Sequence, residues 1–572
     1  MDARKALITD IFNSSTSVEI PFFQRSYVWR EDLWSRLLED MEFVVKTQKP
    51  HFIGSIILKE GPKPMPGAMY AARKTVVDGQ QRLTTFLIFL KVLCLKTGQT
   101  ALFDFQFRIM GKEIALKHGK NDIRAFEEVM SMTKPEKIEN SEKYSRVTAA
   151  YNYFVDNVDA SKLDVMQIIM NTQFVRIDLD ANENEQQIFD TINSLGVSLT
   201  TSELLKNYFF GRNSINEYES IWAQVFEKDD ETKDYWDAEL ETGRIKRAMI
   251  DIFFDAYFQL FIQDKRYNIS NEDKLMYARV DNLAQSYQHF INNYCDGDKN
   301  VVLGQMKEYA LCFMQAFHPE QCDMAVPREM GLERLNVIIF GLKNTTLIPY
   351  VLYLSKNVTE KDELNQICNI LESYIMRRMI VHASTKNYNN LFTSLILNNV
   401  LDANSLLTRL KKTGDVTTYI PDDDELEAGF KNAKLVNLQT RGIIYLLESS
   451  IRPADSATTP LGFNRYSLEH LMPKKWRNNW TPCASEELAK KRDSILLTLG
   501  NLAIIPQSLN ASIRDAAWDI KKAGKGDKPG LTICAGGLYT LYDVLSKATW
   551  DENEISRRAL WMYNKAKNIW KL

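Results

Sequence analysis

The stretch YSLEHLMPKKW, residues 466–476, sets one of only six histidines in 572 residues beside a glutamate and three residues before a proline. Hydrolysis of a phosphodiester needs a base to take a proton from water and a divalent ion to polarise the phosphate and stabilise the leaving oxygen. A neutral histidine near its ordinary pKa can be that base at neutral pH. Carboxylate and amide oxygens are hard donors that suit Mg²⁺ or Mn²⁺ better than zinc. A Glu-His pair alone is equally a polar end to an apolar strand. Three further features favour chemistry at Glu469-His470: Pro473, the Gly500-Asn501-Leu502 turn, and Asn510 nine residues beyond Asn501. A local basic excess surrounds them, eleven Lys/Arg against six acids between 474 and 528. Lys474, Lys475 and Arg477 directly follow the histidine and are the best placed to meet phosphate, whereas the remainder fit a solvated helix face equally well.

A second stretch, TVVDGQQRLTTFLIFL, places Asp78-Gly79-Gln80-Gln81-Arg82 between an apolar strand and a long apolar helix. A loop at a helix N-terminus offers free backbone N–H groups and the positive dipole end to a phosphate. Gly79 allows close backbone approach, Arg82 offers a bidentate fork, and Asp78 suits Mg²⁺ or a water. It is not a Walker A loop. Spacing alone favours a helix cap with a buried Arg82–Asp78 pair.

These residues need elements to hold them. The length suits two to four domains, and a charged fraction of 25% against 45% hydrophobic describes a globular chain. The first 210 residues alternate extended runs with helices: EDLWSRLLEDMEFVV reads as a helix, HFIGSIIL and KTVVD as strands. QQIFDTINSLG reads as a helix stopping at Gly196, and Thr200 with Glu203 forms a capping box for the next. From about 215 to 450, long amphipathic helices such as EYESIWAQVFEK, RIKRAMIDIFFDAYFQLFI and ELNQICNILESYIMRRMIVHAS carry no obvious chemistry. RPADSATTPLG, 452–462, is the best candidate for an exposed linker or loop. NRYSLEHLMP and LGNLAII then read as two strands, with a helix starting near Asn510, the order of a ββα-metal nuclease. Seven scattered cysteines with no C-x-x-C spacing support neither disulfides nor a zinc knuckle. The net charge of −3 excludes a uniformly basic nucleic-acid coat. The apolar run from Leu83 to Leu95 contains Lys91 and is well short of the roughly 20 residues that cross a bilayer, and no secretory signal opens the chain, so a cytoplasmic protein is expected.

The EH-L-M-P and LGNLAII segments with Asn510 resemble the HNH endonuclease motif in its H-N-N form, as found at the C-terminus of GmrSD-type modification-dependent (type IV) restriction enzymes. That resemblance implies His470 as general base, Glu469 and Asn510 as metal ligands, and Asn501 pinning the loop between the strands. The family more often has Ile where Leu471 stands. IPFFQRSYVW, FIGSIIL, VDGQQRLTT and FDTINSLGVSLTTSELLKNYF follow one another as in the N-terminal domain of the same family, which looks like a ParB/sulfiredoxin-type fold associated with nucleotide binding and hydrolysis. It implies a nucleotide or phosphate site at Asp78, Gly79, Gln80, Gln81 and Arg82, joined by Gln24 and Arg25. Tyr27 and Trp29 read as core aromatics, and Asn193, Gly196, Lys206 and Asn207 as packing and capping residues. The expectation is therefore an α+β, predominantly helical chain: a DGQQR-motif nucleotide-binding domain over 1–213, a helical scaffold over 214–440 and an HNH nuclease domain over 441–572. Mg²⁺ or Mn²⁺ and a nucleoside triphosphate, GTP or ATP, are the implied cofactors. Modified double-stranded phage DNA is the implied substrate, with a second copy or other defence proteins as partners and no membrane. Two rivals stand beside it: a nucleotide-regulated DNA-binding protein with a degenerate nuclease, and an abortive-infection nuclease acting on RNA or cellular DNA.

Overall fold

A computed structural model describes residues 2–61, 72–119, 122–139, 145–179, 200–210, 214–242, 245–279, 282–411, 417–456, 458–509 and 515–571. The chain is α+β and predominantly helical. It divides into two compact units, Met1–Lys233 and Asp234–Leu572.

In the first unit a six-stranded mixed sheet holds β1 (Asp2–Leu7), β2 (Thr16–Glu19), β3 (His51–Glu60), β4 (Ala72–Asp78), β5 (Leu116–Lys117) and β6 (Thr172–Leu179), in the order β1-β6-β3-β4-β2-β5. α1 (Glu31–Thr47), α2 (Gln80–Thr97) and α3 (Arg146–Asn157) cover one face, and α4 (Thr201–Phe209) follows β6. Alternation along the strands feeds two cores. Ile56, Leu58, Val76 and Phe174 join the large core with Leu83, Phe86, Trp34, Tyr151 and Phe154. Ile57, Val77, Ile177 and Leu179 face the other way and meet Leu204 of α4. α2 is buried nearly all round, because its run of Leu, Phe, Ile and Val leaves no polar face to solvate. It ends at Gly98, whose φ of 71° admits the left-handed cap donating to Cys94 O. Thr200 and Glu203 make the reciprocal capping box at the head of α4. The helix read from QQIFDTINSLG, with Asn193 and Gly196, lies outside the described residues.

The second unit is built largely of helices. The RIKRAMIDIFF run departs from the expected helix: Ile245–Ala248 is a strand paired with Glu239–Thr242, and α5 begins at Met249. Four residues are too few for periodicity to separate strand from helix. EYESIWAQVFEK also differs, since Tyr218–Ala223 of the first unit forms a π-helical turn that puts both Tyr218 and Trp222 against Glu227. α6 (Lys361–Ile380) buries Arg334 against Glu372, and Glu372 also accepts from Trp570 Nε1 at 2.9 Å. α7 (Asp423–Asn432) and α8 (Asn437–Ile451) precede the 452–462 stretch, which is a loop inside this unit. Its first residue, Arg452, is buried and donates to Thr458 and to Gly537 O. β7 (Tyr466–His470), α9 (Glu486–Ile495), β8 (Leu502–Pro506), α10 (Trp518–Ala523) and α11 (Glu552–Ile569) complete the unit. α11 is capped by Asp551, packs on the Leu499–Asn501 turn and on α7, and delivers Trp570 O to Arg377 of α6 at 2.7 Å. Among the described residues no helix is long and apolar enough to cross a membrane.

Candidate functional site

β7 and β8 form a two-stranded antiparallel hairpin in which Glu469 lies opposite Ala503 and His470 opposite Leu502. Ile504, Ile505 and Ala503 are wholly buried and anchor β8, so the chemistry-bearing end of β7 is held by a dry partner strand. Immediately after His470 the chain turns, and Asn501 holds the turn. Its backbone oxygen accepts from Leu471 N at 2.9 Å. Its side-chain Oδ1 accepts from Met472 N at 2.8 Å and from Trp550 Nε1 at 3.1 Å. Its Nδ2 donates to Met472 O at 2.8 Å and Leu496 O at 3.0 Å. Every polar atom of this buried amide is thus used. Gly500 is required beside it, because a Cβ there would meet Ile555 O at 2.3 Å.

Glu469 is buried and ion-paired with Lys521 of α10, which is fully buried and donates also to His470 O at 2.7 Å. Burial pushes the Glu469 carboxyl up despite the opposing charge of Lys521, and pushes the Lys521 ammonium down. Burial, with the ammonium groups of Lys474 and Lys521 nearby, lowers His470 to about 4, so its imidazole is neutral at neutral pH and free to accept a proton. Lys521 was not singled out from the sequence, where it reads as one more basic residue of the WDIKK segment. The carboxylate already faces a cation, and a hard-oxygen donor of this kind fits Mg²⁺ or Mn²⁺, which need only one or two protein carboxylates with water and substrate oxygens. Asn510 lies outside the described residues. Lys474 and Lys475 are exposed. Arg477 is instead engaged, paired with Asp493 at 2.8 Å and lying over the Trp476 ring at 4.4 Å. Trp476 Nε1 itself donates to Asp493 at 2.7 Å.

In the first unit the residues of the DGQQR loop and the PFFQR segment come together. β4 ends at Asp78, and Gly79 takes a φ of 95° to open α2, with Ser55 O and Ile56 pressed close to where a Cβ would stand. Gln80 Nε2 donates to Arg25 O at 3.2 Å. Gln81 donates to Ser26 O at 3.1 Å and accepts from Val28 N at 2.8 Å. Gln24 Nε2 donates to Val77 O at 3.4 Å. The three glutamines therefore stitch residues 24–28 to the start of α2. Tyr27 is buried beneath, its backbone N–H donating to Asp122 at 2.7 Å and its hydroxyl bonded to Thr85 and Trp34. The charged groups stay partly open: Arg82 lies 3.7 Å from Asp78 and donates to Ser55 O, and Arg25 lies 4.0 Å from Glu203, all between 15% and 26% exposed. Glu203 was read from the sequence only as a helix-capping residue, and it serves both purposes. Arg25 and Arg82 at the N-terminal end of an eighteen-residue helix fit the negative charge of a phosphate. Lys206 is buried against Glu227 at 3.0 Å.

No curated protein matches the chain. Two family models do, one described as GmrSD restriction endonuclease, N-terminal domain, over residues 8–210, and one as GmrSD restriction endonucleases, C-terminal domain, over residues 420–565. The first covers the sheet, α2 and the DGQQR loop, and the second covers the β7–β8 hairpin with Glu469, His470, Asn501 and Lys521. With both halves present in one polypeptide, the chain belongs to the GmrSD restriction endonucleases and is a DNA endonuclease of the restriction class.

Proposed function

We propose that the chain is a metal-dependent nuclease of the HNH type, acting in the cytoplasm on modified foreign DNA in anti-phage defence and governed by a nucleoside triphosphate held at its first unit. The observation that carries the nuclease reading is a neutral histidine at the end of β7, next to a buried carboxylate, with the amide of Asn501 closing the turn behind both. His470 takes the proton from the attacking water. Glu469, with Asn510, would hold Mg²⁺ or Mn²⁺, whose chemistry when bound is to polarise the phosphate and stabilise the leaving oxygen. Lys521 is a positioning residue, fixing Glu469 and the His470 carbonyl from the same side. Lys474 and Lys475 meet DNA phosphates, while Arg477 steadies Trp476 and Asp493.

At the first unit, Arg25 and Arg82 receive the phosphates of GTP or ATP at the positive end of α2, and Asp78 orients water or a metal ion there. Gln24, Gln80 and Gln81 act through the 24–28 segment, holding Arg25 in place. The test is plasmid cleavage with Mg²⁺ or Mn²⁺ on modified and unmodified DNA, with and without GTP or ATP. Cleavage should need the metal, favour modified DNA and change with nucleotide. Binding of DNA with no cleavage under any condition, or cleavage of RNA in preference to DNA, would overturn the reading.

A further inference from the structure

A cavity of about 180 Å³ opens on the far side of the Asn501 turn, between α11 and the 539–550 segment, and the mechanism above does not use it. Its walls include Tyr539, Trp550 and Trp561, with Val544 between them. Two of its lining residues carry buried polar atoms that have no hydrogen-bond partner among the described residues, Arg558 Nη2 and Thr540 Oγ1. Such atoms are rare in folded proteins, and two beside one cavity mark donors waiting for a ligand. Both residues are rigidly held. Arg558 Nη1 donates to Gly500 O at 2.9 Å and Leu502 O at 2.7 Å, and Nε to Thr540 O at 3.2 Å. Thr540 N and Tyr539 N are fixed by Glu448 at 2.8 and 2.9 Å. The Arg558 guanidinium meets only carbonyls, no carboxylate forming an ion pair with it among the described residues.

Size and chemistry select the occupant. A cavity of roughly 150 Å³ accepts a benzene ring, so this one matches a single six-membered ring with its substituents. Aromatic walls favour a flat π-face, and the two open groups favour a ring edge rich in acceptors. A phosphate ion would need more donors, and the other arginine in the wall, Arg557, is already shared between Asp543 and Glu554. We propose that this cavity receives one pyrimidine ring of the DNA, turned out of the duplex and read at its O2 and N3 edge by Arg558 and Thr540. The proposal rests on the reading of this unit as a DNA nuclease and adds the group that it inspects. Enzymes that examine a base take it out of the stack, at an energy lowest for a base that is already mispaired. Occupancy would bear directly on the active hairpin, since Trp550 in the wall donates to Asn501 and Arg558 holds the carbonyls on either side of it.

The experiment measures binding of the full chain, in EDTA so that nothing is cut, to duplexes that are fully matched or carry one pyrimidine–pyrimidine mismatch. Wild type should bind the mismatched duplex roughly tenfold more tightly, about 1.4 kcal/mol. Thr540→Val, which removes only the unpartnered hydroxyl, and Trp561→Leu, at a half-buried wall position, should erase that preference, leaving matched-duplex affinity and melting temperature near wild type. Equal affinity of wild type for both duplexes, in a chain that still cuts DNA when metal is returned, overturns the pyrimidine pocket and leaves the nuclease reading standing. A mismatch preference that persists unchanged in both variants overturns it too. So does a preference abolished by millimolar inorganic phosphate without loss of matched-duplex binding, because the cavity would then be an anion site. No binding to either duplex overturns the pocket and the DNA nuclease reading together.

Discussion

Asn501→Ala removes the one side chain that ties the end of β7 to the rest of its unit. Four bonds go: those from Met472 N and Trp550 Nε1, and those to Met472 O and Leu496 O, all in a site with no access to water. At roughly 1 kcal/mol for each net bond, the loss is about 4 kcal/mol, and buried groups left unmet push it upward. The unit from 234 to 572 unfolds with an entropy of about 0.7 kcal/mol/K at the usual per-residue value, so the melting temperature should fall by about 6 °C. Asn501→Asp keeps the acceptor but turns a charged oxygen toward Met472 O and Leu496 O, and should cost at least as much. The assay is thermal unfolding followed by tryptophan emission, with amide exchange at Met472 read in parallel. Exchange at Met472 should accelerate well beyond that of α6. A melting temperature within 1 °C of wild type, with Met472 still protected, would refute the role of this amide as the clasp of the turn.

Other outcomes follow from the same geometry. Lys521→Met leaves Glu469 buried without its partner and should destabilise by on the order of 3–5 kcal/mol, most of it recovered when Glu469→Gln is added; additive losses in the double-mutant cycle would count against the pair. Burial raises Asp122 from 3.8 to about 6, against the Tyr27 N–H bond, so between those values the folded unit keeps a proton that the unfolded chain releases. Stability from this group therefore falls as pH rises through about 4 to 6, and Asp122→Asn should be nearly neutral at pH 4 but stabilising by about 3 kcal/mol at pH 7; a gap constant with pH would contradict it. His118, 4.0 Å away, stays neutral throughout that window because burial holds it at about 3. Arg82→Ala should lower nucleotide affinity ten- to a hundredfold, an interaction of roughly 1.5–3 kcal/mol, with the fold intact by circular dichroism; normal hydrolysis in the folded variant would return Arg82 to a purely structural pairing with Asp78 and Ser55.

Local patterns were legible where a single element settles them. The apolar spacing of 31–47, the alternation of 51–60, the all-apolar face of 80–97 and the Thr200–Glu203 box each state their own structure. The hidden parts depend on partners far away in the chain. Lys521 looks like a surface lysine until a fold brings it to Glu469, 52 residues earlier. Gln80 and Gln81 read as loop residues facing a ligand, yet their amides bond to a segment 55 residues back. Arg377 and Arg558 carry no sequence signal that sets them apart from exposed arginines on amphipathic helices, although both are buried and hold backbone carbonyls. The start of α5 was missed for the opposite reason, because a four-residue strand is too short for its period to show.

The most direct test of the central claim is DNA cleavage by His470→Ala beside wild type, in Mg²⁺ and in Mn²⁺, with melting curves on the same preparations. The imidazole is the only group placed to take the proton at the end of β7 among the described residues, and its removal leaves the Asn501 clasp untouched. Cleavage should vanish with melting temperature and nucleotide hydrolysis near wild type. A folded His470→Ala protein that still nicks the plasmid would place the chemistry somewhere other than the β7–β8 hairpin.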